Sequence, residues 1–195
     1  MNIQNLNTSK KYRTIHSIND NDVRLIDNYI KAENVKTFLD YGCHFGHLSI
    51  YLAKTYDITI YAVDNFTGTT GDVLMQKTIN SLTNSYNFYN KVTSNIAENE
   101  PYIGKIILQY SENYLENNNT EIDFAFIDSS HRVEEANEFP LILNKVKPGG
   151  IIGGHDYTKN PECAQGVTLG IELIESQCTW LRNAYTWFMR KNNEG

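Results

Sequence analysis

The chain lacks any apolar run near the roughly 18 residues that a helix needs to span a bilayer. Its N-terminus is polar, without the apolar core of a secretory signal. Cysteine is scarce: Cys43, Cys163 and Cys178 are odd in number and do not fall at metal-ligand spacing, which argues against a cysteine zinc site. These absences point to a soluble protein of the reducing cytoplasm. Positive charge is also short, with 17 Lys and Arg against 23 Asp and Glu and a net charge of −6. The cations are scattered rather than gathered into a stripe, which excludes an electrostatic nucleic-acid binder and favours small-molecule substrates. There is no internal repeat and no Pro/Gly/Ser-rich linker, so residues 1–195 read as one domain, large enough to bury a core without disulfides. A homo-oligomer is compatible with this composition, and nothing in the sequence selects the oligomeric state.

What is present centres on Phe38-Leu39-Asp40-Tyr41-Gly42-Cys43-His44-Phe45-Gly46-His47-Leu48-Ser49, an apolar strand running into an acid, two glycines and an amphipathic helix. Gly42 and Gly46 allow a sharp turn and a close ligand approach, because no Cβ intervenes. The G-x-x-x-G spacing matches neither the dinucleotide G-x-G-x-x-G, which counts against a nicotinamide-dependent oxidoreductase, nor a phosphate loop with its Lys-Ser/Thr. Asp40 at the mouth would repel a pyrophosphate and suits a cationic, amino-acid-like ligand. A ligand-free strand-to-helix turn would use the same glycines, so the turn alone leaves that alternative open. A second acid narrows it: Ile58 to Val63 is a strand ending in Asp64, about 20 residues beyond the turn, where dinucleotide folds place a carboxylate on the ribose hydroxyls.

Residues 1–20 read as a mobile polar segment and 21–34 as a helix covering the sheet. Helices are expected over His47–Lys54, Asp72–Ser81, Tyr86–Ala97, Val133–Lys145 with Pro140 as a kink, and Gly166–Ser176. Strands are expected over Lys105–Gln109, Ile122–Ile127 and Gly150–Gly153, with Asn117-Asn118-Asn119 as a loop tip. This alternation predicts a parallel sheet. Two strand-like runs flank Arg182 to Ala184 near the end. Trp180 and Trp187 read as core or sheet cover by their strand-like spacing.

Asp40, Gly42, Gly46 and Asp64 together resemble the first motifs of the class I S-adenosylmethionine (SAM)-dependent methyltransferases. The stretches Ile122 to His131, Lys147 to Tyr157 and Gly166-Val167 look like a branch that includes macrolide-sugar and glycan-cluster O-methyltransferases. The resemblance implies an α/β Rossmann-like, doubly wound, mostly parallel seven-stranded sheet, with a C-terminal antiparallel strand pair and helices on both faces. It implies SAM as methyl donor, contacted by Asp40, Gly42, Cys43, His44, Gly46, Asp64, Asn65, Ser111 and Asp128. By the same resemblance Asp128, His155 and Asp156 stand at the positions that hold a divalent cation, Mg²⁺ or Mn²⁺, and His131 matches the catalytic base, with Asp128 beside it in the catalytic set. The acceptor implied is a sugar, a glycoside or another small hydroxylated metabolite.

Departures from that pattern matter. His155 replaces a more usual carboxylate, and imidazole is a poor ligand for hard Mg²⁺ but an acceptable one for Mn²⁺, Fe²⁺ or Zn²⁺. Phe66 stands where glycan-associated relatives carry Trp. Each residue also has a plainer reading: Asp128 and Ser111 as helix caps, His131 as a solvated loop histidine, His155-Asp156 as a structural pair. His44 and His47 form an H-x-x-H pair, yet His44 belongs to the loop whose backbone should face the cofactor. The alternatives to a metal-assisted O-methyltransferase are metal-independent N- or O-methyl transfer and a cofactor-binding module without catalysis.

Overall fold

The computed structural model describes residues 18, 20–67, 85–98, 105–129, 132–158 and 165–193. The chain starts with α1 (Asp20–Ala32), then β1 (Thr37–Tyr41), α2 (His47–Thr55), β2 (Thr59–Asp64), α3 (Ser85–Ala97) and β3 (Ile106–Tyr110). It continues with α4 (Ser111–Asn117), β4 (Ile122–Ile127), a 3₁₀ turn (Val133–Asn137), α5 (Glu138–Lys145), β5 (Val146–Gly154) and α6 (Gln165–Ile174). A second 3₁₀ turn (Glu175–Gln177) leads into β6 (Cys178–Arg182) and β7 (Trp187–Lys191).

The strands form one seven-stranded sheet in the order β3-β2-β1-β4-β5-β7-β6. Pairing is parallel except for β7, which runs antiparallel to both β5 and β6. The chain winds outward from β1 to β3 and then returns to β4, so winding reverses between β1 and β4. In open α/β sheets ligands bind beyond the strand ends at such a reversal.

The strands of the middle are apolar on both faces because helices cover both. Phe38 pairs with Phe124 and Leu39 with Ala125, and the two pairs belong to opposite cores, as a period of two requires. The first core takes Val23, Ile26 and Ile30 from α1 and Leu48, Ile50 and Leu52 from α2. At its end Phe188 of β7 meets Tyr29, Phe124 and Phe126, with ring centroids 4.8, 5.9 and 6.3 Å away. The second core takes Phe139, Ile142 and Leu143 from α5 and Ile171 and Ile174 from α6. Trp187 is fully buried there, stacked on Phe139 at 6.0 Å. Each such ring adds about 1.5–3 kcal/mol of transfer free energy.

Three expectations are corrected. The helix expected over Val133–Lys145 is a 3₁₀ turn followed by α5, and the junction precedes Pro140. Pro140 lies in the first turn of α5, where its missing N–H leaves no helical bond unmade, so it makes no kink. Helix α4 was not anticipated, since seven residues with few apolar positions give no periodicity. The strand expected at Gly150 begins at Val146, with a register shift against β4 where Ile122 faces Val146 and Phe124 faces Ile151. The helix expected over Asp72–Ser81 and the polar segment before Asp20 lie outside the described residues, Ile18 apart. Among the described residues no helix is long and apolar enough to cross a membrane.

Candidate active site

At the end of β1 the backbone folds under the neighbouring strand. The N–H groups of Gly42 and Cys43 both donate to the carbonyl of Val63, at 2.8 and 3.0 Å, and Gly46 N–H donates to Cys43 O at 2.8 Å. Gly42 and Gly46 have φ of +88° and +76°, the left-handed region that glycine enters freely. Gly42 has a second constraint: a Cβ there would stand 2.4 Å from the backbone oxygen of Asp128. The absent side chain makes room for this chain's own β4 exit. His44 adopts φ +50° without glycine's freedom.

The two carboxylates of this half have different tasks. Asp40, one residue before the end of β1, is only 3 % exposed. It accepts a hydrogen bond from Ser49 Oγ of α2 at 2.6 Å. Burial pushes its pKa up to about 7, the Ser49 bond opposes this, and the charge of Asp128 adds to it. Asp64, in contrast, accepts backbone N–H bonds from His44 at 2.9 Å and Phe66 at 2.8 Å, one on each oxygen. It pins the glycine turn to the exit of β2, and its two oxygens, with about four acceptor sites between them, leave room for a ligand hydroxyl. Burial holds its pKa above the ordinary value against those bonds. Asn65 is exposed and accepts from Thr67 N–H at 2.9 Å. Cys43 is buried, and burial raises its thiol pKa.

Sequence reasoning missed the wall beside this half. Phe66 turns into the core, 5.0 Å from the ring of Tyr89 and 5.1 Å from that of Tyr110, and these two tyrosines stack at 5.1 Å. Asn95 of α3 donates to Phe45 O at 3.2 Å, clamping the turn from outside. Ser111 opens α4 next to this wall; Tyr110 takes the cap position, without a side-chain cap bond.

The exits of β4 and β5 bring up the other half. Asp128 N–H donates to Tyr41 O at 2.8 Å and His155 N–H to Ile127 O at 3.2 Å, so sheet hydrogen bonds carry these residues to the same rim as the glycine turn. Asp128, His155 and Asp156 each offer a ligand atom, all within 4.8 Å of one another. His155 Nδ1 is 3.3 Å from Asp156 Oδ2 and 4.0 Å from Asp128 Oδ1. Its Nε2 is 3.3 Å from Asp22 Oδ2, a residue the sequence reading did not single out. Tyr185 packs edge-on against the imidazole at 4.6 Å and its hydroxyl donates to Asp156 Oδ1. Asp156 sits at φ +61°, a strained setting for a residue with a side chain. Burial alone would lower the His155 pKa, but the carboxylates of Asp156, Asp22 and Asp128 outweigh it and push the pKa up to about 10.

A family model described as a methyltransferase domain matches residues 39–157, well over half of the chain. The chain belongs to this methyltransferase family. Among solved structures, the O-methyltransferase TomG from Streptomyces achromogenes, involved in tomaymycin synthesis and bound to SAM, superposes with a TM-score of 0.66 at 13% identity, over 95% of this chain and 87% of that one. An O-methyltransferase from Bacillus cereus in complex with SAH gives 0.63 at 17% identity over 91% and 83%. A SAM-dependent O-methyltransferase from Thermotoga maritima gives 0.62 at 12% identity over 93% and 68%. At these identities the likeness is one of fold. No curated protein matches the sequence.

The stretch that matches the methyltransferase model contains every residue singled out from the sequence for the site, from Asp40 to Asp156. Of these, Asp40, Gly42, Asp64, Asp128, His155 and Asp156 gather around the exits of β1, β2, β4 and β5. His131 lies outside the described residues. His44 and His47 sit on either side of Phe45, and among the described residues the one group of three or more that could hold a metal is Asp128, His155 and Asp156. Asp22, Tyr185 and Thr186, which complete the acidic half, lie outside the matched stretch.

Proposed function

We propose that this methyltransferase takes its methyl group from SAM and delivers it to a hydroxyl oxygen of a small hydroxylated metabolite, of the sugar class, in the cytoplasm. The observation that carries the reading is the single rim shared by the Asp64-pinned glycine turn and the Asp128, His155, Asp156 group. The turn backbone from Gly42 to Gly46 and the remaining acceptor capacity of the Asp64 carboxylate suit an adenosyl amino acid, with Asn65, Ser111 and the Tyr110 wall beside it. Asp40 ties the end of β1 to α2 through Ser49.

In the transfer the acceptor oxygen forms its bond to the methyl carbon as the carbon–sulfur bond breaks, and the electron pair stays on sulfur. The sulfonium is its own activated leaving group, so the protein chiefly aligns oxygen, carbon and sulfur. A sugar hydroxyl stays protonated at neutral pH, and His131 takes that proton, a contribution of about 10² to 10⁴ in rate. The donor set of two carboxylates and an imidazole fits a divalent cation of the Mn²⁺, Fe²⁺ or Zn²⁺ type better than Mg²⁺. Such an ion, when bound by Asp128, His155 and Asp156, makes the acceptor hydroxyl more acidic. To hold such an ion His155 would have to give up a proton, so affinity would fall as pH falls.

One observation favours a metal-independent variant. His155, with its pKa raised by three carboxylates, brings a positive charge of its own to Asp128 and Asp156. Labelled SAM offered with a panel of sugar, phenolic and amine acceptors, with and without chelator, decides between them. Transfer to sugars that chelator abolishes and Mn²⁺ restores is the expected result; chelator-indifferent transfer selects the variant, and transfer to nitrogen alone refutes the acceptor class.

A further inference from the structure

Helix α1 carries an acid on its buried side. Val23, Ile26 and Ile30 face the core, and Asp22 shares the stripe of Ile26 and Ile30 at four-residue spacing while being only 3 % exposed. An ionised carboxylate left alone in such a place costs several kcal/mol. Two partners from distant parts of the chain meet it. Thr186 Oγ1, from the turn before β7, donates to Asp22 Oδ1 at 2.5 Å. His155 Nε2 lies 3.3 Å from Asp22 Oδ2, a buried imidazole–carboxylate contact. The same ring points Nδ1 the other way, towards Asp156 at 3.3 Å and Asp128 at 4.0 Å.

An imidazole presents a nitrogen to a metal according to what its other nitrogen meets. A carboxylate on one side holds the proton there, frees the opposite lone pair and makes it more basic. Asp22 and Thr186 both lie outside the stretch that matches the methyltransferase model, so the flanking elements α1 and the β6–β7 turn complete this site. We propose that Asp22, braced by Thr186, is the positioning residue that turns His155 Nδ1 into the cation site formed with Asp128 and Asp156. This rests on the metal-assisted reading above. It also accounts for histidine at a place where a carboxylate would need no such support.

The test is calorimetric titration of Mn²⁺ into the full chain and into Asp22→Asn, Thr186→Val and Thr186→Ser, with a SAH titration on each protein to show that the glycine-turn half stays intact. Asp22→Asn is expected to weaken Mn²⁺ binding by about 10- to 100-fold, the usual effect of losing the group behind a metal-bound histidine. Thr186→Val is expected to weaken it less, and Thr186→Ser, which keeps the hydroxyl, to restore it; SAH binding stays unchanged throughout. Mn²⁺ affinity equal in wild type and Asp22→Asn overturns this inference and leaves the metal reading standing. If Asp22→Asn does not fold, the contrast between Thr186→Val and Thr186→Ser decides, and equal affinities overturn the inference. A wild-type protein that binds SAH but gives no Mn²⁺ heat overturns the metal reading and this inference with it.

Discussion

The two halves of the rim are built by different means. The glycine-turn half is held by backbone: Gly42, Cys43, His44, Gly46 and Phe66 all donate main-chain N–H groups, to Val63 O, Cys43 O or the Asp64 carboxylate. The acidic half is held by side chains, with Asp22, Asp128, Asp156, Tyr185 and Thr186 arranged around one imidazole. Backbone sites tolerate changes of side chain but not of backbone shape, whereas side-chain sites can be dismantled one group at a time. On the proposed reading, the backbone-built half takes the methyl donor and the side-chain-built half the cation and acceptor.

Substitutions in the two halves should therefore fail differently. The largest effect is expected from His131→Ala, which should lower turnover by about 10² to 10⁴ while SAH affinity stays put, since loss of a base removes chemistry and not donor binding. Steady-state kinetics with an acceptor that the wild-type protein methylates check this; unchanged turnover removes His131 from the mechanism. Gly42→Ala should act through structure. Its Cβ would press on the Asp128 backbone at 2.4 Å and its φ of +88° is unfavourable, so stability should drop by roughly 3 kcal/mol or more and both halves should lose their ligands together. Urea denaturation with a parallel SAH titration separates this from a purely local effect.

Legibility followed the same division. The glycine turn and Asp64 lie within 25 positions of each other, on a strand–turn–helix–strand pattern whose periodicity and spacing are local, so both were visible in the sequence. So were most of the strands, because a strand buried on both faces reads as an apolar run, as Ile122–Ile127 does. Asp22 was not visible as part of the site. An acid in the first turn of a helix reads as a complement to the helix dipole, and its Thr186 partner is 164 positions away. The signal that was there is its place on the Ile26–Ile30 stripe, where a solvated acid does not belong. Asp40 was read as a cofactor contact from its place at the turn, while its hydrogen bond from Ser49, in the first turn of α2, had no local signal. The aromatic wall of Phe66, Tyr89 and Tyr110 joins three elements that no local pattern connects.

Smaller effects sharpen the contrast. Asp40 has a folded pKa raised to about 7 from 3.8, so keeping it ionised costs stability that is absent at low pH and grows as pH rises through that interval. Asp40→Asn, which still offers Ser49 an acceptor, should gain on the order of a few kcal/mol over wild type at pH 8 and nothing below pH about 4. Thermal melts of both proteins across that range check the sign; a gain that is largest in acid contradicts it. Far from the rim, Arg190 pairs with Glu33 through contacts of 2.7 and 3.1 Å at a partly exposed edge. Glu33→Gln should cost under about 1 kcal/mol by denaturant titration and leave SAH affinity untouched; a changed SAH affinity would show that this pair is coupled to the site.

The central claim is that one rim holds an adenosyl amino acid and a divalent cation side by side. Calorimetric titration of SAM, SAH and NAD into the full chain, with and without Mn²⁺ and Mg²⁺, tests it most directly. The account predicts micromolar heats for SAM and SAH, none for NAD, and a separate Mn²⁺ heat stronger than that of Mg²⁺. NAD binding in place of SAM, or no heat from any of the three, would contradict it.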